Sequence, residues 1–369
     1  MTGDPRRRLL DEAVLTWMRE DPWCDDEARF DALAHELFAF QFEHCAPYRG
    51  FCRNRGVDPS SIASWHEIPC VPTGAFKELT LTSFPPAETR HVFRTSGTST
   101  TSRGSLHLDT LALYEASLLP TFRFHLLPDL PAAGRVRIEV LAPPPEEASD
   151  SSLSHMFGVA IAKLGSEASR YAVLRGSLDT EALRVRLERD VEAEEPILLC
   201  GTAFGFVHFL EYLEEHGDFL RLPAGTHLME TGGFKGRSRE LPREELYAEL
   251  EARLGVPAEC VVNQYGMTEL GSQFYDSVLR QPQRPRRKLG PPWVRARIVD
   301  PESGRPLAPG EIGSIAIFDL ANTGSVCAIQ TADLGRAIED GFEVLGREPE
   351  AEARGCSIAA DVLLAGVGS

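Results

Sequence analysis

Residues 26–45 place Phe30, Leu33, Leu37, Phe38 and Phe42 at helical spacing. That pattern predicts an amphipathic helix, ended by Pro47. Residues 65–77 form an irregular apolar stretch broken by Pro69, Pro72 and Gly74. Residues 136–141 read as a buried strand closed by Pro143-Pro144-Pro145, and residues 178–191 as a charged helix. A strand over 197–200 is followed by a helix over 206–216. Strands alternating with helices predict an α/β fold with largely parallel sheets.

The pattern changes after residues 281–293, which are Pro-rich, basic and poor in apolar side chains. That stretch reads as a linker between lobes or as a long surface loop. Beyond it, Val294, Ala296 and Ile298 alternate with Arg295 and Arg297. Asp300-Pro301-Glu302-Ser303-Gly304 and Pro309-Gly310 supply turns, and an apolar run follows over 312–318. These features predict an antiparallel meander. No internal repeat or low-complexity tract interrupts either part.

The chain has 369 residues, 43% of them hydrophobic and 25% charged, the profile of a globular protein. Its formal charge of −17 opposes encounter with nucleic acid or an anionic membrane, so neither is expected as a partner. The first fifteen residues carry Arg6-Arg7-Arg8 and then Asp11 and Glu12, with no apolar leader core. The most apolar run, residues 197–209, contains Gly201, Gly205 and His208 and is too short to span a bilayer. The eight cysteines are scattered with no C-x-x-C pair, which points away from disulfides and zinc and toward a reducing cytoplasm.

Thr95-Ser96-Gly97-Thr98-Ser99-Thr100-Thr101-Ser102-Arg103-Gly104 is the richest chemical signal. Glycines let backbone approach an anion, while hydroxyl and N–H groups donate to phosphate oxygens. Arg103 could add fixed charge. No G-K-[ST] follows, so this is not a Walker loop. Taken alone, the cluster reads more simply as a surface loop.

Further segments follow that loop in order: Gly232-Gly233-Phe234, Tyr265-Gly266-Met267-Thr268-Glu269, Thr331-Ala332-Asp333-Leu334-Gly335 and Gly346-Arg347. Together with Ile298-Val299-Asp300-Pro301 and Pro309-Gly310-Glu311-Ile312-Gly313, this order resembles the adenylate-forming superfamily of acyl-CoA synthetases, adenylation domains and luciferases. Within it, Val71-Pro72-Thr73-Gly74-Ala75-Phe76-Lys77, Thr231-Gly232-Gly233-Phe234-Lys235-Gly236, Asn263-Gln264-Tyr265-Gly266 and Arg354-Gly355-Cys356 resemble the LuxE-like acyl-protein synthetases of bacterial luminescence. Those enzymes adenylate a fatty acid, load it on their own cysteine and pass it to a reductase.

The resemblance implies a large adenylate-forming domain over residues 1–345, with α/β lobes to about 290 and a β-rich lobe beyond. Residues 346–369 would be a short remnant of the small C-terminal domain. The resemblance also implies ATP and Mg²⁺. Thr95, Ser96, Gly97, Thr98, Ser99 and Arg103 would hold the β- and γ-phosphates. Gly232, Gly233 and Phe234 would face adenine, with Tyr265 stacked opposite and Gly266 beside it. Thr268 would bond the α-phosphate, Glu269 would hold Mg²⁺, Asp333 would accept from the ribose hydroxyls, and Arg347 would touch ribose or phosphate. Singly, Tyr265 reads as a buried aromatic, Glu269 as a helix-start carboxylate and Asp333 as a turn residue.

The superfamily's C-terminal domain brings a lysine to adenylation, and residues 348–369 contain none. Arg103, Lys77 or Lys235 are then the candidates for that charge. Cys356 could accept the acyl group as a thiolate. Arg347 and Arg354 would favour the thiolate, whereas Glu350 and Glu352 would oppose it. Its alternative is a structural cysteine at the start of a strand over 357–364. Residues 151–158, with His155, Met156 and Phe157, and residues 201–209, with Phe204, Phe206 and Phe209, could line an acyl pocket or simply be core.

Three functions stay open at this point. One is an acyl-protein synthetase serving an acyl reductase. Another is a ligase passing the acyl group to coenzyme A, a carrier-protein pantetheine or an amine. The third is a degenerate nucleotide-binding scaffold.

Overall fold

The computed structural model describes residues 3–21, 23–96, 103–232 and 241–347. In chain order its helices are α1 (Pro5–Met18), α2 (Glu27–His44), α3 (Ala46–Asn54), α4 (Ala75–Glu78), α5 (Ala112–Leu126), α6 (Ser152–Leu164), α7 (Thr180–Ala193), α8 (Ala203–His216) and α9 (Arg243–Leu254). The strands are β1 (Val71–Pro72), β2 (His91–Arg94), β3 (Ser105–Leu108), β4 (Arg137–Leu141), β5 (Arg170–Tyr171), β6 (Val173–Leu174), β7 (Ser177–Leu178), β8 (Ile197–Thr202), β9 (His227–Thr231) and β10 (Val261–Tyr265). They continue with β11 (Phe274–Asp276), β12 (Lys288–Leu289), β13 (Val294–Val299), β14 (Ile312–Asp319), β15 (Ala328–Ile338) and β16 (Gly341–Arg347). No described helix is long and apolar enough to cross a membrane.

The chain divides into two units, with described residues 3–120, 266–274 and 288–347 in the first and the rest in the second. The second unit is the parallel α/β part, with strand order β10-β9-β8-β4-β5. The central strand β8 is almost wholly apolar and buried, as a strand covered on both faces requires, while β4, β9 and β10 also carry buried polar side chains. Leu183 and Leu187 of α7, Phe206, Phe209 and Leu213 of α8 and Leu250 of α9 pack with Leu199, Leu228 and Val261 in one core. Capping residues set the helix limits. Asp179 accepts from the Ala182 N–H at 3.0 Å, and the Thr202 hydroxyl accepts from the Gly205 N–H at 3.1 Å. The Thr202 cap starts α8 at Ala203, three residues before the position expected from its apolar spacing.

The first unit holds the antiparallel strands in the order β13-β14-β15-β16-β12, with β1 alongside β15 in parallel. The meander predicted from alternation is present, with Ile298 opposite Ile315 between β13 and β14. Phe30 of α2 meets Trp65 edge-on at 5.2 Å between ring centres, and Trp65 meets Phe318 of β14 at 4.7 Å. Such edge-to-face pairs add about 1 kcal/mol each beyond their burial.

Two local expectations change. Pro47 does not end α2, which caps at Cys45; it sits in the first turn of α3, where its missing N–H costs nothing. The basic stretch before β13 is not a plain surface loop, because Arg287 and Lys288 are buried. Arg287 donates to the Pro285 carbonyl at 3.0 Å and to the Ser277 hydroxyl at 3.3 Å.

Candidate active site

In the first unit, β2 and β3 form a hairpin that carries the Ser/Thr/Gly loop. Arg94 pairs with Ser105, and the Thr95 N–H donates to the Gly104 carbonyl at 2.9 Å. The Gly104 N–H in turn donates to the Thr95 hydroxyl at 3.0 Å. Arg103 turns its guanidinium onto its own loop, donating to the carbonyls of Thr95 and Arg94. Ser96 is exposed. Gly97, Thr98 and Ser99 lie outside the described residues, as do Gly233, Phe234, Lys235 and Cys356.

The base of this hairpin sits against Glu269. A Cβ on Gly104 would come within 3.2 Å of the Thr95 methyl and 3.3 Å of Glu269 Oε1. Glycine lets the backbone approach this closely without displacing either side chain. Thr268 and Glu269 are the middle of a turn closed by the Leu270 N–H on the Met267 carbonyl at 3.2 Å. Thr268 is half-buried, Glu269 is buried and Gly266 is exposed.

A second set of side chains fixes this turn. The Asn322 amide donates to the Glu269 carbonyl and to the Val326 carbonyl, each at 2.9 Å. Asp319, at the end of β14, accepts from the Ser272 N–H at 2.7 Å and from its hydroxyl at 2.8 Å. Gly271 lies so close to Ala321 that a Cβ would meet its carbonyl carbon at 3.1 Å. Gln41 of α2 donates to the Asn322 carbonyl at 3.0 Å and accepts from the Cys327 N–H at 2.9 Å. Sequence reading missed Asp319, Asn322 and Gln41. Their only signal is a polar residue where the pattern asks for an apolar one.

Asp333 of β15 stands opposite Arg347 of β16, and Arg347 Nε donates to Asp333 Oδ1 at 3.0 Å. A register shift between Leu334 and Gly335 and a φ of +134° at Gly346 accompany this pairing. That φ suits glycine, and the extra residue re-aims the end of the strand.

Burial pushes the Glu269 carboxyl up to about 7. The positive charges of Arg347 and Lys77 act against burial there, and the negative charge of Asp333 acts with it. Glu269, Asp333, Arg347, Lys77 and the hairpin base are therefore one electrostatic cluster in the first unit. A magnesium ion takes hard oxygen donors and is usually shared between one or two carboxylates and phosphate oxygens. Glu269 offers such an oxygen, so the donor chemistry fits. Among the described residues, no group of three or more His, Cys, Asp or Glu could hold a metal by itself.

In the second unit, Gly232 and Tyr265 directly follow the paired residues Thr231 of β9 and Gln264 of β10, on two adjacent parallel strands. Carboxyl ends of parallel strands are where α/β sheets bind ligands. Tyr265 is half-buried and Gly232 exposed. Among the described residues, a Cβ on Gly232 would meet nothing nearer than Asn263 Nδ2 at 4.0 Å. Beneath them runs a buried polar network. Asn263 Nδ2 donates to Glu230 Oε1 at 2.6 Å, and the Tyr247 hydroxyl donates to the same oxygen at 2.9 Å. Asp276 accepts from the Asn263 N–H at 3.1 Å and from Arg286 at 2.6 Å. The division between the units falls inside the sequence motif, between Tyr265 and Gly266.

The aromatic clusters resolve toward core. Phe206 and Phe209 are buried among leucines of α7 and α8, and Met156 and Phe157 are buried on α6. Phe204 and His155 are half-buried. Burial also raises the thiol pKa of Cys45 to about 11 and of Cys52 and Cys70 to about 12, and pushes Cys200, Cys260 and Cys327 the same way. Those thiols are poor nucleophiles at neutral pH.

Among curated proteins, the chain is similar to the long-chain-fatty-acid–luciferin-component ligase of Aliivibrio fischeri, 25% identical over 330 residues, which is 87% of this chain and 83% of that protein. It is similar to the Vibrio harveyi protein of the same name at 22% identity, over 88% of this chain and 85% of that one. Among solved structures, it resembles 2-hydroxyisobutyryl-CoA ligase in an open conformation with 2-HIB-AMP and CoA. The TM-score is 0.60 at 16% identity, over 89% of this chain and 75% of that one. That likeness is one of fold, a mixed α/β architecture like the one expected from the sequence. The model of the family described as acyl-protein synthetase, LuxE, matches residues 10–364, and the chain belongs to that family.

Proposed function

We propose that this chain is an AMP-forming acid–thiol ligase of the cytoplasm that activates a fatty acid and loads it on Cys356 for delivery to a reductase. In the first step a carboxylate oxygen attacks the α-phosphorus of ATP, the bond to the bridging oxygen breaks, and pyrophosphate leaves with its electron pair. In the second step the Cys356 thiolate attacks the acyl carbon and expels AMP. Such chemistry needs positioning and charge rather than covalent help from the protein.

The observation that carries this reading is the Glu269 cluster, in which a buried carboxylate meets the base of the hairpin, Asp333 and Arg347. Thr95, Ser96, Gly97, Thr98 and Ser99 would donate to the phosphate chain, with Arg103 bracing the loop. Thr268 would bond the α-phosphate, Asp333 would accept from the ribose, and Arg347 would neutralise Asp333 until nucleotide arrives. Glu269 would hold magnesium, which supplies charge neutralisation at the phosphates when bound. Gly232, Gly233, Phe234, Tyr265 and Gly266 would frame the adenine. The raised pKa of the buried cysteines makes them poorly suited to attack, which leaves Cys356 and the exposed Cys24 as the acceptors to separate, and the family resemblance favours Cys356.

The test is incubation with ATP, Mg²⁺ and a labelled fatty acid, followed by denaturation. A hydroxylamine-sensitive label present in the native chain and absent from Cys356→Ser is the expected result. Equal labelling of the variant would remove Cys356 from the mechanism. Pyrophosphate exchange with no stable label would assign the acyl group to a free thiol.

A further inference from the structure

On the Asn322 side of the Glu269 turn, the first unit holds a small cavity with room for about one water molecule. Arg7 of α1, Asp109, Asn322 and Gly324 line it, the first three being 2%, 7% and 2% exposed. Asp109 directly follows β3, and Asn322 and Gly324 lie between β14 and β15. The Asn322 amide has a fixed orientation. Its nitrogen donates to the carbonyls of Glu269 and Val326, each at 2.9 Å, and a carbonyl can only accept. Asn322 Oδ1 and Asp109 Oδ1 are both buried, and neither accepts a hydrogen bond from the described residues. Arg7 Nη2 stands 3.6 Å from Asp109 Oδ1, too far for a direct hydrogen bond. The rest of that guanidinium is engaged, with Nε donating to Asp11 at 2.8 Å and Nη1 to the Ser83 hydroxyl at 3.3 Å. The Ser83 hydroxyl donates to the Thr323 carbonyl and the Thr323 hydroxyl to Asp11, each at 2.7 Å, so the walls are braced against one another. Gly324 keeps the space open. A Cβ there would come within 3.2 Å of Arg7 Nη2 and 3.3 Å of Asp109 Oδ1.

We infer that one buried water binds in this cavity, donating to Asp109 Oδ1 and Asn322 Oδ1 and accepting from Arg7 Nη2, and that through it Asp109 is a positioning residue for the Glu269 turn. The stoichiometry matches. Water brings two protons for two acceptors and a lone pair for one donor, and three hydrogen bonds are the usual complement of a buried water. A buried acceptor without a donor is costly, and one water relieves two of them. A monovalent cation would suit the two oxygens but would meet the Arg7 guanidinium in the same small space, so charge selects a neutral guest. The water lengthens the clamp on the Glu269 carbonyl. Asp109 and Arg7 hold the water, the water holds Asn322 Oδ1, and Asn322 Nδ2 holds the turn bearing Thr268 and Glu269. The positioning role rests on the proposed adenylation; the water itself does not.

Two measurements test this on the full-length chain. A high-resolution crystal structure of the native protein, with and without rubidium chloride, should show a water within hydrogen-bond distance of the three atoms and no rubidium signal. A dry cavity, or rubidium in it, overturns the inference. The second measurement compares Asp109→Leu, Asp109→Asn and Gly324→Ala with the native chain. Acid-dependent ATP–pyrophosphate exchange is measured with medium- and long-chain saturated fatty acids, and thioester formation separately from synthetic acyl-adenylate. Asp109→Leu removes an acceptor, and the Gly324→Ala methyl takes the space of the water. Both are expected to lose about tenfold in exchange per folded molecule and to need more Mg²⁺ for the half-maximal rate, with thioester formation unchanged. Asp109→Asn keeps an acceptor and should stay within about threefold of native exchange. A loss in Asp109→Asn as large as in Asp109→Leu would assign the effect to charge and overturn the role of the water. Native-like exchange in either Asp109→Leu or Gly324→Ala overturns the positioning role and leaves the adenylation reading standing. Equal loss of both steps in the folded variants also overturns it, and so does failure of both to fold, since the cavity would then serve structure alone. Absence of exchange in the native chain with every acid overturns the adenylation reading and the positioning role with it, while the crystal structure still decides the water.

Discussion

The side-chain amide of Asn322 donates to the backbone carbonyl of Glu269 at 2.9 Å, so a residue between two strands of the meander holds the most electrostatically stressed carboxylate of the site from behind. Asn322→Ala leaves that buried carbonyl without this donor, at a cost of about 1–3 kcal/mol. Adenylation should fall by more than the loss of folded protein explains, because the turn carrying Thr268 and Glu269 loses its clamp. Urea unfolding and pyrophosphate exchange on one preparation check this. Native exchange per folded molecule would mean that Asp319 and Gly271 suffice to hold the turn.

Glu269 also makes stability depend on pH. Its ordinary pKa is 4.5, and burial raises it to about 7 in the folded chain. The folded state therefore holds this proton more tightly than the unfolded state. The resulting stability is fully present below pH 4.5, is lost as pH rises through about 7, and amounts to about 3 kcal/mol. Asp190 and Asp319, both raised to about 6, move the same way in the native chain and in any Glu269 variant. Glu269→Gln removes only the Glu269 contribution. At pH 8 it should be more stable than the native chain by about 1–3 kcal/mol while losing adenylation. Unfolding curves at pH 5 and pH 8 measure the difference. A variant that tracks the native chain at both values would place the titration elsewhere.

Asp333 separates binding from folding in the opposite sense. Its partner Arg347 is 63% exposed although Asp333 itself is only 14% exposed, so solvent screens the pair from the arginine side and holds its contribution to about 1 kcal/mol. Asp333→Ala should melt close to the native temperature but raise the KM for ATP by about tenfold or more, as loss of two ribose contacts implies. An unchanged KM would take the ribose away from Asp333.

Much of this was legible in the chain. Alternation at Val294, Ala296 and Ile298 located the meander, and apolar runs located β4 and β8. The ordered motifs named Thr95, Glu269, Asp333 and Arg347, which the fold gathers in one cluster. What escaped was set by context. Pro47 reads as a stop in isolation, yet it fits the first turn of a new helix. Arg287 and Lys288 read as surface because composition cannot reveal that backbone carbonyls and hydroxyls await them. Asp319, Asn322 and Gln41 carry no motif, since they act on backbone groups of residues remote in sequence.

The segment 266–274 belongs to the first unit, but the chain enters it from β10 and leaves it into residues of the second. Genetic exchange meets a constraint here. No single crossover can replace one unit and keep the other whole, because the turn bearing Thr268 and Glu269 is stitched between stretches of its neighbour. A recombinant that imports a foreign second unit must match both ends of those nine residues. Lineages of this enzyme are therefore expected to diversify by substitution within each unit more readily than by trading units.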